Sequence, residues 1–331
     1  MNARLSREVL AQPVKRAARV IARARLDIVR DAYARFDSDA PDALHDLRVG
    51  IRRLRSWLRA FRPELDDTVR GKTRRGMRDL ARATNAARDV EVWSEWIAAQ
   101  ANVSTRARPG LRYVVRWLRA EGDAQHRKSA KRIRARLPLL LDALDAELSS
   151  YTAPVPAKNR KASETTMAEA MVMLIRADHR RFGRRIDRVQ STRAVGAIHR
   201  CRIAAKRLRY LLEALDEFPP ANEATAQLVE LQDSLGAVRD LRLFVERVVD
   251  RIGVIGMMEA RRRAAKALAV DTDTAPSPPL SRVRPGMLLL AKRARLEADE
   301  AFDRFRAGWD QARLAAITQA LDRLIEALES G

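Results

Sequence analysis

The sequence predicts an all-α protein, and three observations carry that prediction. Ala, Leu, Arg and Glu dominate the composition, helical periodicity runs along nearly all of the 331 residues, and the helical pattern is internally duplicated. Gly and Pro number only 13 each and aromatic residues make up 5%, so the residues that punctuate and build sheets are scarce. With 47% apolar residues the chain has enough material for a real core.

Taken in order, the N-terminal segment MNARLSREVLAQPVKRAARVIARARL carries charges throughout and lacks the apolar run of a signal peptide. Helical patterns then alternate with breaks near Ser38 to Pro41, Arg62 to Pro63, Ala101 to Pro109, Tyr151 to Ser163, Pro219 to Pro220 and Asp271 to Pro285. The stretch 151–163, with Pro154 and Pro156 and few large apolar residues, reads as the connection between an N-terminal half, 1–150, and a C-terminal half, 164–331. The polar, Pro-rich DTDTAPSPPLSRVRP reads as an exposed excursion between late helices.

The halves match. Residues 45–61, HDLRVGIRRLRSWLRAF, align without a gap on residues 199–215, HRCRIAAKRLRYLLEAL, at an offset of 199 − 45 = 154. TNAARDVEVW, around Arg88 and Asp89, matches LGAVRDLRLF, around Arg239 and Asp240, at 239 − 88 = 151. A duplicated helical half predicts a pseudo-symmetric pair of bundles in which equivalent helices meet near an internal axis.

On a helix, Leu44, Leu47, Ile51, Leu54, Leu58 and Phe61 form one apolar seam. His45, Arg48, Arg52, Arg55 and Arg59 fall beside it within an arc of roughly 80°, a basic stripe about 20 Å long. In the second copy the seam is Ile198, Cys201, Ala205, Leu208, Leu212 and Leu215. The stripe there is His199, Arg202, Lys206 and Arg209, broken at Glu213. Like charges at this spacing repel by a few tenths of a kcal/mol per pair. A solvated basic face is the bland account of one such helix, but its recurrence with the seam points to a linear array of anionic groups lying against it.

The charge agrees. Lys and Arg total 65 against 43 acids, a formal +22, which favours a polyanionic partner. Arginine predominates, and its planar fork suits phosphate oxygens. Cys201 is the single cysteine, which excludes an intramolecular disulfide and any cysteine-built metal cluster and suits a reducing cytoplasm. No stretch approaches 18 uncharged apolar residues, so no membrane span is expected. No P-loop or carboxylate cluster stands out, so neither a cofactor nor catalysis is expected.

The two histidine helices and the paired AARD and AVRD segments resemble the CHAD domain, the conserved histidine α-helical domain, over nearly the whole chain. The resemblance implies two four-helix bundles related by a pseudo-twofold axis, enclosing a basic central channel for long inorganic polyphosphate. It also implies a cytoplasmic protein, in some members gathered on polyphosphate granules. No alternating ExExK strand of a CYTH domain appears, so a stand-alone member is expected. Carried over by position, the resemblance implicates His45, Arg48, Arg52, Arg53 and Arg55, with His199, Arg202, Lys206, Arg207 and Arg209. Arg53 and Arg207 point further round their helices, where bracing a partner helix is the competing role. Arg88 with Asp89 and Arg239 with Asp240 read either as ion pairs orienting the basic helices or as phosphate contacts. Asn85 stands where the second copy has Gly236, which puts an equally close helix approach there in question.

A nucleic-acid backbone is the alternative partner that charge alone admits. Sparse aromatics and the absence of a helix-turn-helix or zinc-finger pattern weigh against it.

Overall fold

Helices in water owe most of their stability to burying an apolar face against a neighbour, so the architecture follows from which faces meet. In the computed structural model of the chain, residues 4–38, 40, 42–83, 85–149, 165–268 and 279–330 are described. They form α1 (Arg7–Leu10), α2 (Val14–Asp37), α3 (Ala43–Ala60), α4 (Arg62–Leu65), α5 (Gly71–Ala83) and α6 (Asn85–Ala98). These are followed by α7 (Arg108–Ser149), α8 (Met167–Ile186), α9 (Val195–Leu212), α10 (Pro219–Ala267), α11 (Leu280–Gly308) and α12 (Gln311–Glu329). The fold is all-helical. An isolated bridge between Pro13 and Thr166 is the only strand-like pairing among the described residues.

The connection expected at 151–163 lies outside the described residues, as does most of the 271–285 excursion. Four of the prolines expected to mark breaks open helices instead, the first being Pro63, second residue of α4. Pro109 stands in the first turn of α7, and Pro219 and Pro220 begin α10. A first-turn proline gives up an N–H that has no intrahelical partner anyway. Pro285 lies inside α11 and removes the bond to the Ser281 carbonyl. The helix continues because Val283, Gly286 and Met287 around it are buried. At the start of α8, Thr166 Oγ1 accepts from Glu169 N–H at 3.2 Å and the Thr166 N–H donates to the Glu169 carboxylate at 2.8 Å, a complete capping box.

Two cores form. The first draws on α2, α3, α5, the end of α7, α8, α9, the start of α10, the end of α11 and α12, so it runs through both halves. The second joins α6, the start of α7, the later part of α10 and the start of α11 around Trp93, Val114, Phe244, Met287 and Leu290. The single helix α10 serves both cores, spanning in one piece what α5 and α6 cover in the first half at the 151-residue offset.

Equivalent helices meet each other: α3 packs on α9, α6 on α10 and α7 on α11. The last of these pairs approaches most closely. A Cβ placed on Gly110 would lie 2.2 Å from the Val283 carbonyl oxygen and 2.7 Å from the Cα of Gly286. One placed on Gly286 would lie 2.1 Å from the Ala107 oxygen and 2.8 Å from the Cα of Gly110. The approach is reciprocal, and the sequence around it is repeated. Arg106-Ala107-Arg108-Pro109-Gly110 corresponds to Arg282-Val283-Arg284-Pro285-Gly286, a third duplicated segment at 286 − 110 = 176.

Candidate anion-binding site

The seams set the site. Along the first seam Leu47, Ile51, Leu54, Leu58 and, just past α3, Phe61 are at most 2% exposed, with Leu44 only half-buried at its start; the second seam, from Ile198 through α9 to Leu215 beyond it, is buried throughout. Trp57 widens the first seam, fully buried with its Nε1 donating to the Ala18 carbonyl at 2.9 Å. Burying these faces fixes the stripe residues along the edges of two packed helices. Arg53 meets Glu213 at 2.7 Å and Arg59 neighbours Arg207, so α3 and α9 cross in opposite directions.

At the crossing the cations converge. Lys206 is surrounded by Arg202, Arg52, Arg209 and Arg239, and Arg52 in turn neighbours Arg48. Burial, with those four charges, pushes the Lys206 ammonium down to about 8. Arg48, although charged, is only 7% exposed. Arg202 lies over Gly236, where a Cβ would come within 2.5 Å of its Nη1, so the absent side chain makes its room. Arg48 Nε, Arg52 Nε, Arg202 Nη1 and Arg207 Nε are buried without a hydrogen-bond partner among the described residues. A buried N–H left unmade costs on the order of 1–3 kcal/mol, more when charged. The three on Arg48, Arg52 and Arg202 lie together at the crossing, where an anion's oxygens would satisfy them, and Arg207 lies apart from them beside Arg181 and Asp178.

The two aspartates of the duplicated RD segments lie at the same centre. Arg239 holds Asp240 at 2.7 Å and reaches Asp89 at 3.8 Å, and burial raises the Asp89 carboxyl. Both Arg48 and Arg202 feel the Asp89 charge. Arg88 differs from its counterpart: Glu91 and Glu95 take it at 3.2 and 3.7 Å. His199 is exposed beside Arg239, Arg202 and Lys206, and burial and those cations lower its imidazole. His45 is exposed, with no hydrogen bond or ion pair among the described residues. Arg55 and Arg59 continue the first stripe. Arg82 and Arg78 of α5 flank Arg55, while Arg207, with Arg181 of α8, flanks Arg59. Burial and these neighbours bring the Arg59 guanidinium down to about 10.

The fold has counterparts in known proteins. A model of the CHAD domain matches residues 19–249, more than half of the chain. The chain belongs to the CHAD domain family. Among solved structures it resembles the CHAD domain from the plant Ricinus communis, at 20% identity and a TM-score of 0.62, covering 95% of this chain and 93% of that one. It also resembles PptA from Streptomyces chartreusis, at 16% identity and a TM-score of 0.65, covering 90% of this chain and 99% of that one. Both likenesses concern the fold. No curated protein matches.

Within this CHAD domain the structure gathers Arg48, Arg52, Arg202, Lys206 and Arg239 and extends them along Arg55, Arg59 and Arg209. Arg53 donates to Glu213 across the α3–α9 crossing, and Arg88 pairs with acids of its own helix while standing beside Arg48. To the first stripe the structure adds Arg78, Arg82 and Arg181, which lie outside the duplicated motif. The signal available was their place on helices flanking the motif helix. Among the described residues no helix is long and apolar enough to cross a membrane.

Proposed function

We propose that this CHAD domain binds long inorganic polyphosphate without turning it over. In this reading the polyanion lies in a basic channel between two pseudo-symmetric four-helix bundles, where α3 crosses α9. The carrying observation is the set of buried, unpartnered guanidinium nitrogens on Arg48, Arg52 and Arg202 at the crossing, beside a lysine whose proton is already destabilised by its neighbours. Such a cluster gains what it lacks from a flexible string of closely spaced phosphates, each presenting oxygens to paired donors. Asp89 and Asp240 are occupied by Arg239 and serve to orient the cations. Location on polyphosphate granules follows as part of the same reading.

The test is competition. Long-chain polyphosphate is expected to displace duplex DNA at physiological salt, with log K falling linearly against log salt. Equal affinity for DNA under those conditions would contradict the assignment.

The lysine gives the binding a pH signature. In the free protein Lys206 loses its proton above about 8, and a bound phosphate raises that value, so binding takes up a proton there. Affinity for polyphosphate is expected to be highest below pH 8 and to fall as pH rises through 8–9.5, whereas Lys206→Arg keeps its affinity across that range. The stability of the free protein has the opposite sign. The folded-state value is lowered, the unfolded chain binds the extra proton between about 8 and 10.5, and stability therefore rises with pH across that window. Proton uptake measured by calorimetry in two buffers of different ionisation enthalpy reads the linkage; none at pH 8.5 would rule Lys206 out of the binding surface.

A further inference from the structure

The duplication lets each end of the site be compared with its own copy, and the two ends differ. Arg53 pairs with Glu213 at 2.7 Å. Moving both positions by the 154-residue offset turns that pair into Arg207 and Arg59, which are neighbours and both cationic. At the 151-residue offset Arg82, beside Arg55, corresponds to Asp233, beside Arg202. Acids thus stand in the second half at two places where the first half carries arginines.

The surroundings reinforce the difference. At the Glu213 end the acid takes a second partner, Arg209, at 3.2 Å, and Arg25 feels its charge as well. Arg25 is otherwise engaged, with its Nη1 on the Arg53 carbonyl at 3.1 Å and its guanidinium 4.7 Å over the Trp57 ring. The adjoining cavity, about 270 Å³, has an Arg4–Asp216 pair at 2.6 Å on its wall. The cations there have acids of their own. At the opposite end, Asp178, which pairs with Arg181, and Asp79, 3.4 Å from Arg78, are the acids facing Arg55, Arg59, Arg82 and Arg207. Neither Arg59 nor Arg82 has a hydrogen bond or ion pair among the described residues, and both are exposed.

We infer that the anion site is one-sided: a polyphosphate chain leaves the central cluster along Arg55, Arg59, Arg82 and Arg207, while Glu213 closes the pseudo-equivalent exit by occupying Arg53 and Arg209 in the place of phosphate. This rests on the polyphosphate reading and adds to it a direction and a residue that limits the site. Phosphates bound at the open end gain unpaired guanidinium groups. At the closed end they must first displace a carboxylate that already holds two.

The experiment compares Arg59→Gln and Arg82→Gln with Arg53→Gln and Glu213→Gln, using long-chain polyphosphate at several salt concentrations and a thermal melt of each variant to confirm folding. Arg59→Gln and Arg82→Gln each weaken binding about fivefold and make the log K against log salt slope shallower by roughly 0.7, the value for one fewer phosphate neutralised on a single strand. Arg53→Gln changes affinity less than about twofold, because its charge is already spent on Glu213. Glu213→Gln tightens binding and steepens the slope, since it frees two arginines. Equal losses for Arg53→Gln and Arg59→Gln, or a Glu213→Gln protein no tighter than the parent, overturn one-sidedness. If that happens while the parent binds polyphosphate and needs Arg52 and Lys206, one-sidedness alone falls. A parent protein that does not bind polyphosphate removes both readings.

Discussion

Gly110→Ala is expected to destabilise the protein by about 3 kcal/mol, lowering the melting temperature by roughly 6–10 °C. The added methyl would sit 2.2 Å from the Val283 oxygen and 2.7 Å from the Cα of Gly286. These are backbone atoms of a helix packed in the second core, so no side chain can swing aside to relieve them. The α7–α11 crossing must separate, loosening Val114, Met287 and Leu290 with it. Gly286→Ala meets the same obstacle from the other side and should cost a similar amount. Gly253→Ala provides the control, because nothing lies within 4 Å of its Cβ position on α10. There alanine removes only the entropic cost of glycine in a helix and should add about 0.5–1 kcal/mol of stability. Thermal or urea unfolding of the three variants reads the opposite signs directly. A Gly110→Ala protein as stable as its parent would mean that the helices do not cross this closely.

Reversing the charges at the centre should have the largest effect on binding. Arg52→Glu combined with Lys206→Glu is expected to weaken polyphosphate binding by about a thousandfold or more, on the order of 4 kcal/mol, because each change removes an attraction in a partly buried site and adds a repulsion. The free protein should respond in the other direction. Lys206 is surrounded by four cations that lower its proton affinity. Glutamates placed among Arg48, Arg202 and Arg239 gain partners where the parent has repulsion, so the melting temperature should hold or rise. That pairing of outcomes separates a binding role from a structural one. A double variant that loses binding only because it melts would show a lower melting temperature, and circular dichroism with a binding titration distinguishes the two.

What the sequence made legible was whatever helix geometry alone decides. The spacing of Leu47, Ile51, Leu54 and Leu58 forces one face inward, and with it the edge on which Arg48, Arg52 and Arg55 must lie. The duplication located the second stripe by the same rule. Partners brought in from distant segments were not legible in this way. Glu213 reads in sequence as a break in a basic stripe, and only the crossing of α3 and α9 shows that it seals Arg53, 160 residues away. Gly236 reads in the sequence as a place of close helix approach, and what the structure lays across it is the Arg202 side chain. Arg88 and Arg239 occupy matching positions beside the central arginines, yet the first takes Glu91 and Glu95 of its own helix as partners. Those acids, three and seven residues on, were visible in the sequence as a helical pattern. The repeated Arg-x-Arg-Pro-Gly segment was hidden because Pro-Gly reads as a break and because its offset of 176 departs from 154 and 151. The histidines illustrate the reverse case. They open both motif helices in sequence, but His45 stands exposed, and His199 lies at the margin of the cluster that Arg202 and Lys206 form.

In the proposed reading, the internal duplication and polyphosphate binding meet at one place, the crossing of α3 and α9. The most direct measurement is a crystal structure with long-chain polyphosphate bound. Phosphate oxygens are expected on Arg48, Arg52, Arg202 and Lys206, against the guanidinium nitrogens that are buried without partners in the free protein. Phosphates seated on other surfaces, with the space between α3 and α9 left to solvent, would contradict the account.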